Sequence, residues 1–475
     1  RRLLLTLAIE TSCDDTAVAV LEKIDLPNSS TAAILHFHKK ITSDNTAYNG
    51  VHPLASLYSH QENLASLVDE AIQYLPARNG AIQSSTGVSV GTKRLPDFVS
   101  VTRGPGMRSS LFTGLDTAKG LAAAWQAHAL TPRLVAALQN AEQQQLGSAK
   151  LCTETPVPSD INIEPSFPFL SVLASGGHTL LICSTSLTEH EILGSTADIA
   201  VGECLDKIAR VVLPPDVLQQ ARSTMYGALL EDFAFPNMLA PESEQASETK
   251  QQGTSRPIQY ALEQNPAQVY QAAYASRYAG VLPEPREDQD GGKKAPVWTW
   301  KLTRPLSRTA GGLKSKSLEM SFSGLTTAVE RVIRYETNPS SGTPTRTERI
   351  VEEITLEERQ GLAKEAMRFA FEHIASRVVL ALQHLSLKES RPPATIVMSG
   401  GVASNSYLRY LLARVLVANG YPDIHLAFPP ASLCTDNAAM IGWTGLEASM
   451  YQAGHKDPRS IRALRKWPLD QLLSP

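Results

Sequence analysis

One scheme occurs twice along this chain and limits its fold more than any other feature. "LLLTLAIETSCDDTAVAVLE" reads as two apolar runs of strand length, residues 3–9 and 16–21, joined by a polar turn carrying Ser12, Asp14 and Asp15. Short apolar runs bounded by turn residues favour strands, so this is a hairpin with an acidic tip. "DFVSVTRGPGMRSSLFTGLDTAKGLAAAW" follows as strand, glycine loop and helix. The second half repeats both units. "FPFLSVLASGGHTLLICST" is strand, small-residue turn, strand, and "ATIVMSGGVASNSYLRYLLARVLVANG" is strand, glycine loop, helix, with Gly420 as its terminator. "DIHLAFPPASLCTDNAAMIGW" adds a strand, a Pro-Pro turn and a closing helix. Two such copies predict a duplicated α/β domain of two lobes around a central cleft.

The length of 475 residues agrees, since it exceeds what one core serves. Within the first copy, "SHQENLASLVDEAIQYL" puts Leu64, Leu67, Val68, Ala71, Ile72 and Leu75 on one helical face, with Ser59 available as its cap. A stretch at about 236–316 breaks the pattern with "PESEQASETKQQGTSRP" and "PEPREDQDGGKKAP". Its polarity predicts a long loop or partly disordered insertion, with short structured pieces such as "VYQAAYASRYAG" and "VWTWKL".

Charge and cysteine content narrow the function classes. A net charge of -3 carries no global nucleic-acid signature, so RNA contact would need a local basic patch. The tail "HKDPRSIRALRKWP" offers one in Lys456, Arg459, Arg462, Arg465 and Lys466, unless it is only a solvated helix end. Cys13, Cys152, Cys183, Cys204 and Cys434 form neither a disulfide framework nor a metal-finger spacing, which suits a reducing compartment. No apolar run approaches the ~20 residues of a membrane helix. The start at "RRLLL" reads as trimmed.

Three glycine loops follow apolar strands: "TRGPGMRSS", "ASGGHT" and "MSGGVASN". Glycine lets the backbone approach a phosphate, and a following helix start adds partial positive charge. One such loop is usually only a turn; three in a duplicated chain indicate a nucleotide-like ligand. None has the lysine of a Walker loop or the dinucleotide fingerprint, so the ligand is expected on backbone amides. Asp206 in "GECLDK" either accepts from a ribose hydroxyl or pairs with Arg210 on the helix surface. Asn405 in "SNSYLR" either reads a base or sugar edge or caps a helix. Asp436 in "CTDNAAM" reads, on the residues alone, as an N-cap. His128 alone makes no site.

Together "LAIETSCDDT", "VTRGPGMRSSLFTGLDTAKGLAAAW", "LASGGHT", "GECLDKIAR", "SFSGL", "MSGGVASNSYLR" and "LCTDNAAMIGW" resemble, in order and spacing, the family of tRNA N6-adenosine threonylcarbamoyltransferases, and its mitochondrial branch in particular. The resemblance covers nearly the whole chain except the polar stretch. It implies a duplicated actin-like ATPase fold: residues 1–150 as first lobe, 151–435 as second, and 436–475 as a helix and basic tail packing back on the first. It also implies transfer of threonylcarbamoyl from its adenylate, supplied by a separate synthase, to N6 of adenosine 37 in tRNAs reading codons that begin with A. The adenylate would be held around Leu173, Ala174, Ser175, Gly176 and Gly177, with Asp206, Gly227 and Asn405; "MYGALLE" around Gly227 is the loosest match. A homodimer in the mitochondrial matrix, free of membrane, with its presequence outside this chain, completes what is implied.

The family binds one divalent metal, iron or zinc, through two histidines spaced H-x-x-x-H on a helix and an aspartate matching Asp436. Histidines four apart share a helical face and grip one ion. Here "AAAWQ" runs directly into "AHALTPRL". His128 matches the second ligand and Ala124 stands at the first, so the chain omits roughly ten residues, about one mean strand with its turns. The first lobe is therefore expected to lack a strand near 125–127. No side chain stands out as a general base. Two alternatives stay open: a catalytically inactive subunit that binds nucleotide as a scaffold, and a small-molecule phosphotransferase using Asp14 and Asp15 with a magnesium nucleotide. The sequence contains no H-E-x-x-H, which argues against a metalloprotease.

Overall fold

β1 (Leu4–Glu10) is buried beyond its first residue, as a strand is when helices cover both faces of its sheet. In the computed structural model it lies mid-sheet. The structure describes residues 4–25, 31–48, 50–77, 93–125, 128–130, 165–186, 189–219, 226–236, 263–278, 298–306, 316–388, 392–430, 433–448 and 461–467. β2 (Asp15–Asp25) pairs antiparallel with β1, Ala8 opposite Ala19, and β3 (Thr31–Thr42) pairs antiparallel with β2. On β1's other side come β4 (Phe98–Val101) and then β5 (His128–Leu130), each parallel to its neighbour. The order is β3-β2-β1-β4-β5.

The second sheet repeats it. β6 (Phe169–Ala174), β7 (Thr179–Ser184) and β8 (His190–Ser195) form the antiparallel part. β12 (Thr395–Ser399) and β13 (His425–Phe428) follow β6 in parallel, and β9 (Glu263–Pro266) closes the edge. The order β8-β7-β6-β12-β13-β9 therefore matches the first sheet position for position over its first five strands. A separate hairpin joins β10 (Tyr335–Thr337) to β11 (Pro344–Glu348).

Among the described residues the helices pack on these sheets chiefly in three apolar clusters. α1 (Pro53–Ile72) and α2 (Arg108–Trp125) pack Leu64, Leu67, Leu111 and Leu115 against Leu5, Leu7 and Ile9. Each buried leucine contributes about 1.5–3 kcal/mol. The largest cluster covers the second sheet. It collects residues of α3 (Val201–Val212), α5 (Gly227–Ala234), α6 (Ala267–Tyr278), α7 (Ser323–Arg334), α8 (Leu356–Lys388) and α9 (Ser406–Ala418), with the short α4 (Pro215–Gln219) beside it. The third cluster joins Ala8, Ala17, Ala19 and Leu21 of the first sheet to Leu173 and Ile182 of the second through α10 (Ala438–Ala448). α10 lies close because it carries glycines: a Cβ on Gly442 would sit 3.1 Å from that of Ala8, and one on Gly445 3.0 Å from that of Ser100.

Four features differ from the sequence reading. Each hairpin gains a third strand, β3 and β8. α1 starts at Pro53 with His52 as cap, ahead of Ser59, because proline suits the first helical turn. The first sheet is not short of a strand near 125–127: His128–Leu130 fills its fifth position against Phe98, Val99 and Ser100, and three residues serve because β4 has only four. Within 236–316, the piece "VYQAAYASRYAG", expected to be structured, lies in α6 as far as Tyr278, and it joins the core, which a loop insertion does not imply: Tyr270, Tyr274 and Tyr278 recur every four residues and are buried on one helical face. The remainder of that stretch lies mostly outside the described residues, as do Cys152, Lys456, Arg459 and residues 126–127.

Candidate functional site

The glycine turns meet where β6 ends. After the buried Leu173 and Ala174, Ser175 N donates to the His178 carbonyl at 2.9 Å, and His178 N donates to Ser175 Oγ at 3.0 Å. This tight turn leaves Gly176 and Gly177 facing open space. Gly202, in the first turn of α3, donates its N–H to Ser175 O at 3.1 Å. A Cβ there would fall 2.7 Å from Ser175 O and 2.8 Å from Gly176 Cα, so only glycine lets the helix start approach the turn. From the other side comes Gly400, after β12, at φ +87 and packed on the Ala174 carbonyl. Asn405 then caps α9, its Oδ1 accepting from Leu408 N at 3.0 Å. Residues 173–177, Gly202, Gly400 and the capped start of α9 thus occupy one location.

Asp206, on α3, accepts from Tyr226 N at 2.8 Å and from Gly227 N, and so holds the start of α5. Arg210 lies near enough to act on its charge, but the backbone bonds go to α5. Burial pushes the Asp206 carboxyl up to about 6 against those hydrogen bonds. A Cβ on Gly227 would meet open space.

A second cluster forms at the hairpin tip, where Glu10, Asp14 and Asp15 face Asp436. Lys40 Nζ of β3 donates to Asp15 Oδ2 at 2.9 Å and to Thr435 Oγ1 at 2.5 Å, tying the first sheet to the segment before α10. Glu10 accepts from Ser12 N and from Thr102 Oγ1. Burial pushes Glu10 up to about 7, and burial with the neighbouring Glu10, Asp15 and Asp14 charges pushes Asp436 well above the usual carboxylate range. Asp436 is not the helix cap. Asn437 is, with Oδ1 accepting from Met440 N at 3.1 Å. Sequence reasoning passed over Glu10, Lys40 and Thr435. The signal for Lys40 lay in a third strand it did not draw.

His128 is in a strand and not on a helix. It aligns with Phe98, and through β4 with Thr6 of β1. Asp436 interacts with Glu10, at the end of β1. The His128 side chain lies outside the described residues, so of the expected ligands only Asp436 is described, and Ala124 in α2 supplies no donor. Among the described residues no group of three His, Cys, Asp or Glu side chains is arranged to hold a metal ion.

Asp198 anchors "SFSGL". Its carboxylate accepts from Ser321 Oγ at 2.6 Å, Phe322 N at 2.9 Å, Ser323 N at 3.2 Å and Ile199 N at 2.7 Å, and against the effect of burial these bonds hold its carboxyl well below the usual carboxylate range. It caps α7 from a different segment. Asp198→Ala should cost about 1–2 kcal/mol in urea unfolding, the usual loss of a cap, whereas no loss would mean that water replaces the carboxylate.

Comparison with known proteins bears on this site. A family model described as tRNA N6-adenosine threonylcarbamoyltransferase (TsaD) matches residues 35–145, 151–254 and 299–443. The chain is 32% identical to "tRNA N6-adenosine threonylcarbamoyltransferase, mitochondrial" of Schizosaccharomyces pombe, over 100% of this chain and 88% of that protein. It is 27% identical to the tRNA N6-adenosine threonylcarbamoyltransferase of Brucella ovis, over 99% and 96% of the two. Among solved structures, an activator of 2-hydroxyisocaproyl-CoA dehydratase from Clostridium difficile aligns with 96% of this chain and 100% of its own at 9% identity and a TM-score of 0.35.

Proposed function

The chain belongs to the family of tRNA N6-adenosine threonylcarbamoyltransferases, and from that premise we propose that it moves a threonylcarbamoyl group from threonylcarbamoyl-adenylate to N6 of adenosine 37 in tRNAs reading ANN codons. The observation that carries the reading is the meeting of Gly202, Gly400 and the 173–177 turn at one point. Gly202 and Gly400 brace that turn from both sides, and Gly176 and Gly177 leave its backbone open, which would let a phosphate approach the main chain. Leu173, Ala174, Ser175, Gly176, Gly177, Asp206, Gly227 and Asn405 are the proposed adenylate site. The adenine N6 nitrogen attacks the carbamoyl carbon, forming a C–N bond. The bond from that carbon to the phosphate oxygen breaks, AMP leaves with the electron pair, and the amine proton passes to solvent. Backbone N–H groups of the 175–177 turn stabilise the phosphate charge that AMP carries away. No side chain is assigned as base.

The two matching sheet orders support two actin-like lobes around a cleft, 1–150 and 151–435, with 436–475 returning to the first; α10 beside Ala8 and Ala17 agrees. The family depends on a metal. For this chain we keep one divalent ion, iron or zinc, with His128 and Asp436 as its proposed ligands, and route no step through it. Tyr48, Val51, Leu54 and Tyr58 leave an exposed apolar face at the start of α1 that suits a homodimer. No helix of the described residues is long and apolar enough to cross a membrane. Similarity to the S. pombe protein supports a mitochondrial location, which we take as the matrix, with a separate enzyme supplying the adenylate.

The test is single-turnover transfer from threonylcarbamoyl-adenylate to a tRNA transcript with and without adenosine 37, read by mass spectrometry of nucleosides. Modified adenosine that depends on position 37 supports the reading. Tight adenylate binding with no transfer on any tRNA, at any added metal, would establish the inactive scaffold instead, which Ala124 at the position of the first histidine favours. Phosphorylation of a small substrate without tRNA would point to the phosphotransferase.

A further inference from the structure

The tail basic residues and the first glycine loop, distant in sequence, lie side by side. Arg103 Nε donates to Arg462 O at 2.9 Å, Leu464 N donates to Arg103 O at 2.8 Å, and Gly106 N donates to Arg465 O at 3.3 Å. Arg103 also stacks its guanidinium 5.4 Å from the Trp467 ring. Ile461, Ala463 and Trp467 turn inward and are buried. Arg462, Arg465 and Lys466 therefore turn outward and are exposed, as is Arg108 just beyond the loop. Among the described residues none of these four forms an ion pair. Arg108 lies 5.7 Å over the ring of Phe112, which is 38% exposed. A cation beside an exposed aromatic ring is a pairing that single-stranded nucleic acid uses.

This basic edge adjoins the acidic hairpin tip. Met107 N donates to Ser12 O at 2.8 Å, so one residue separates Arg108 from the strand end carrying Glu10, Asp14 and Asp15. The molecule as a whole carries a net charge of -3, so a polyanion gains little elsewhere and would be drawn to such an edge. We propose that Arg108, Arg462, Arg465 and Lys466 seat the phosphate backbone of the RNA substrate, and that the tail, locked on the glycine loop by Arg103, orients the RNA toward the cleft. The proposal rests on the transfer reading above and names the surface that its RNA occupies.

The full chain is tested with labelled tRNA by fluorescence anisotropy at rising salt. One variant is Arg462→Glu, Arg465→Glu, Lys466→Glu; a charge-matched control is Arg331→Glu, Arg334→Glu, Arg346→Glu. Each lost phosphate contact lowers the salt slope by about 0.7–0.9, so three contacts lower it by roughly 2–3 and weaken binding at least about tenfold at moderate salt. The expected result is that loss in the tail variant alone, with the urea midpoint and adenylate affinity unchanged. Should reversal of charge unfold the tail, the glutamine triple at the same positions is read instead, with the same fall in slope. Equal tRNA affinity in wild type and tail variant, or an equal loss in the control, overturns the surface while leaving transfer intact. Binding of the tail to anionic vesicles with no effect on tRNA overturns it in favour of a lipid surface. Absence of both tRNA binding and transfer in the wild type is the failure of the transfer reading itself.

Discussion

Gly400→Ala should lose about 4 kcal/mol of stability, as a left-handed backbone costs about 1–3 kcal/mol for a side chain and overpacking about 1–3 more. Both costs apply here. Gly400 sits at φ +87, and its Cβ would overlap the Ala174 carbonyl, reaching 2.7 Å from the carbonyl carbon and 3.1 Å from Ser175 Cβ. Neither neighbour can yield, since one is backbone at the end of β6 and the other starts the turn bonded to His178. The adjacent Gly401→Ala is the control. Its nearest contact is Thr435 Cγ2 at 3.5 Å, ordinary van der Waals distance, so it should change stability by under about 1 kcal/mol. Urea unfolding of the pair reads the difference. The same substitution should weaken adenylate binding, because β12 can no longer press on the 173–177 turn. If the two variants unfold alike, the close approach of the two glycine turns is not what holds this region.

Asp206→Asn should separate stability from binding, with opposite signs. The folded carboxyl titrates at about 6 against an ordinary value of 3.8, raised mainly by burial. A raised value means that the proton favours the native state. That contribution is fully present below about pH 4 and is lost as pH rises through 6. At about 1.4 kcal/mol for each tenfold change in proton affinity, wild type forgoes on the order of 3 kcal/mol by pH 7.5. Asparagine keeps an oxygen for Tyr226 N but never ionises, so the variant should match wild type near pH 4 and exceed it above pH 6. A carboxylate that accepts from a ribose hydroxyl is worth about 1.5–3 kcal/mol, so adenylate affinity should fall about tenfold or more in the same variant. Thermal melts across pH 4–8, with adenylate titration at pH 7.5, check both. Parallel melting curves at every pH would show that Asp206 is not held as buried as its surroundings indicate.

Much of the architecture was readable from local pattern. Apolar runs of strand length and glycine loops before helices predicted β1, β2, β4, β6, β7, β12 and β13 and the duplication they imply. β3 escaped notice because it follows a segment outside the repeated scheme, although pairing with β2 requires it. "VYQAAYASRYAG" reads as a structured piece within polar flanks, and only the burial of three tyrosines on one face shows that α6 is core. Of the residues proposed for the adenylate, Asn405 is engaged as a cap, and Asn437 rather than Asp436 caps α10. A helix cap and a ligand contact call for the same residue types, so composition alone does not separate them.

The amino-acid sequence by itself determined the period of each segment, hence which pieces become strand or helix, and the order in which the two halves repeat. Those properties depend on residues a few positions apart. Tertiary structure alone decided three others: that His128 fills a strand position beside Phe98, that Lys40 bridges Asp15 and Thr435, and that Arg103 fastens the basic tail over the glycine loop. Each depends on register and burial between segments far apart in the chain, where pairing and exclusion of water select among contacts that no local pattern distinguishes.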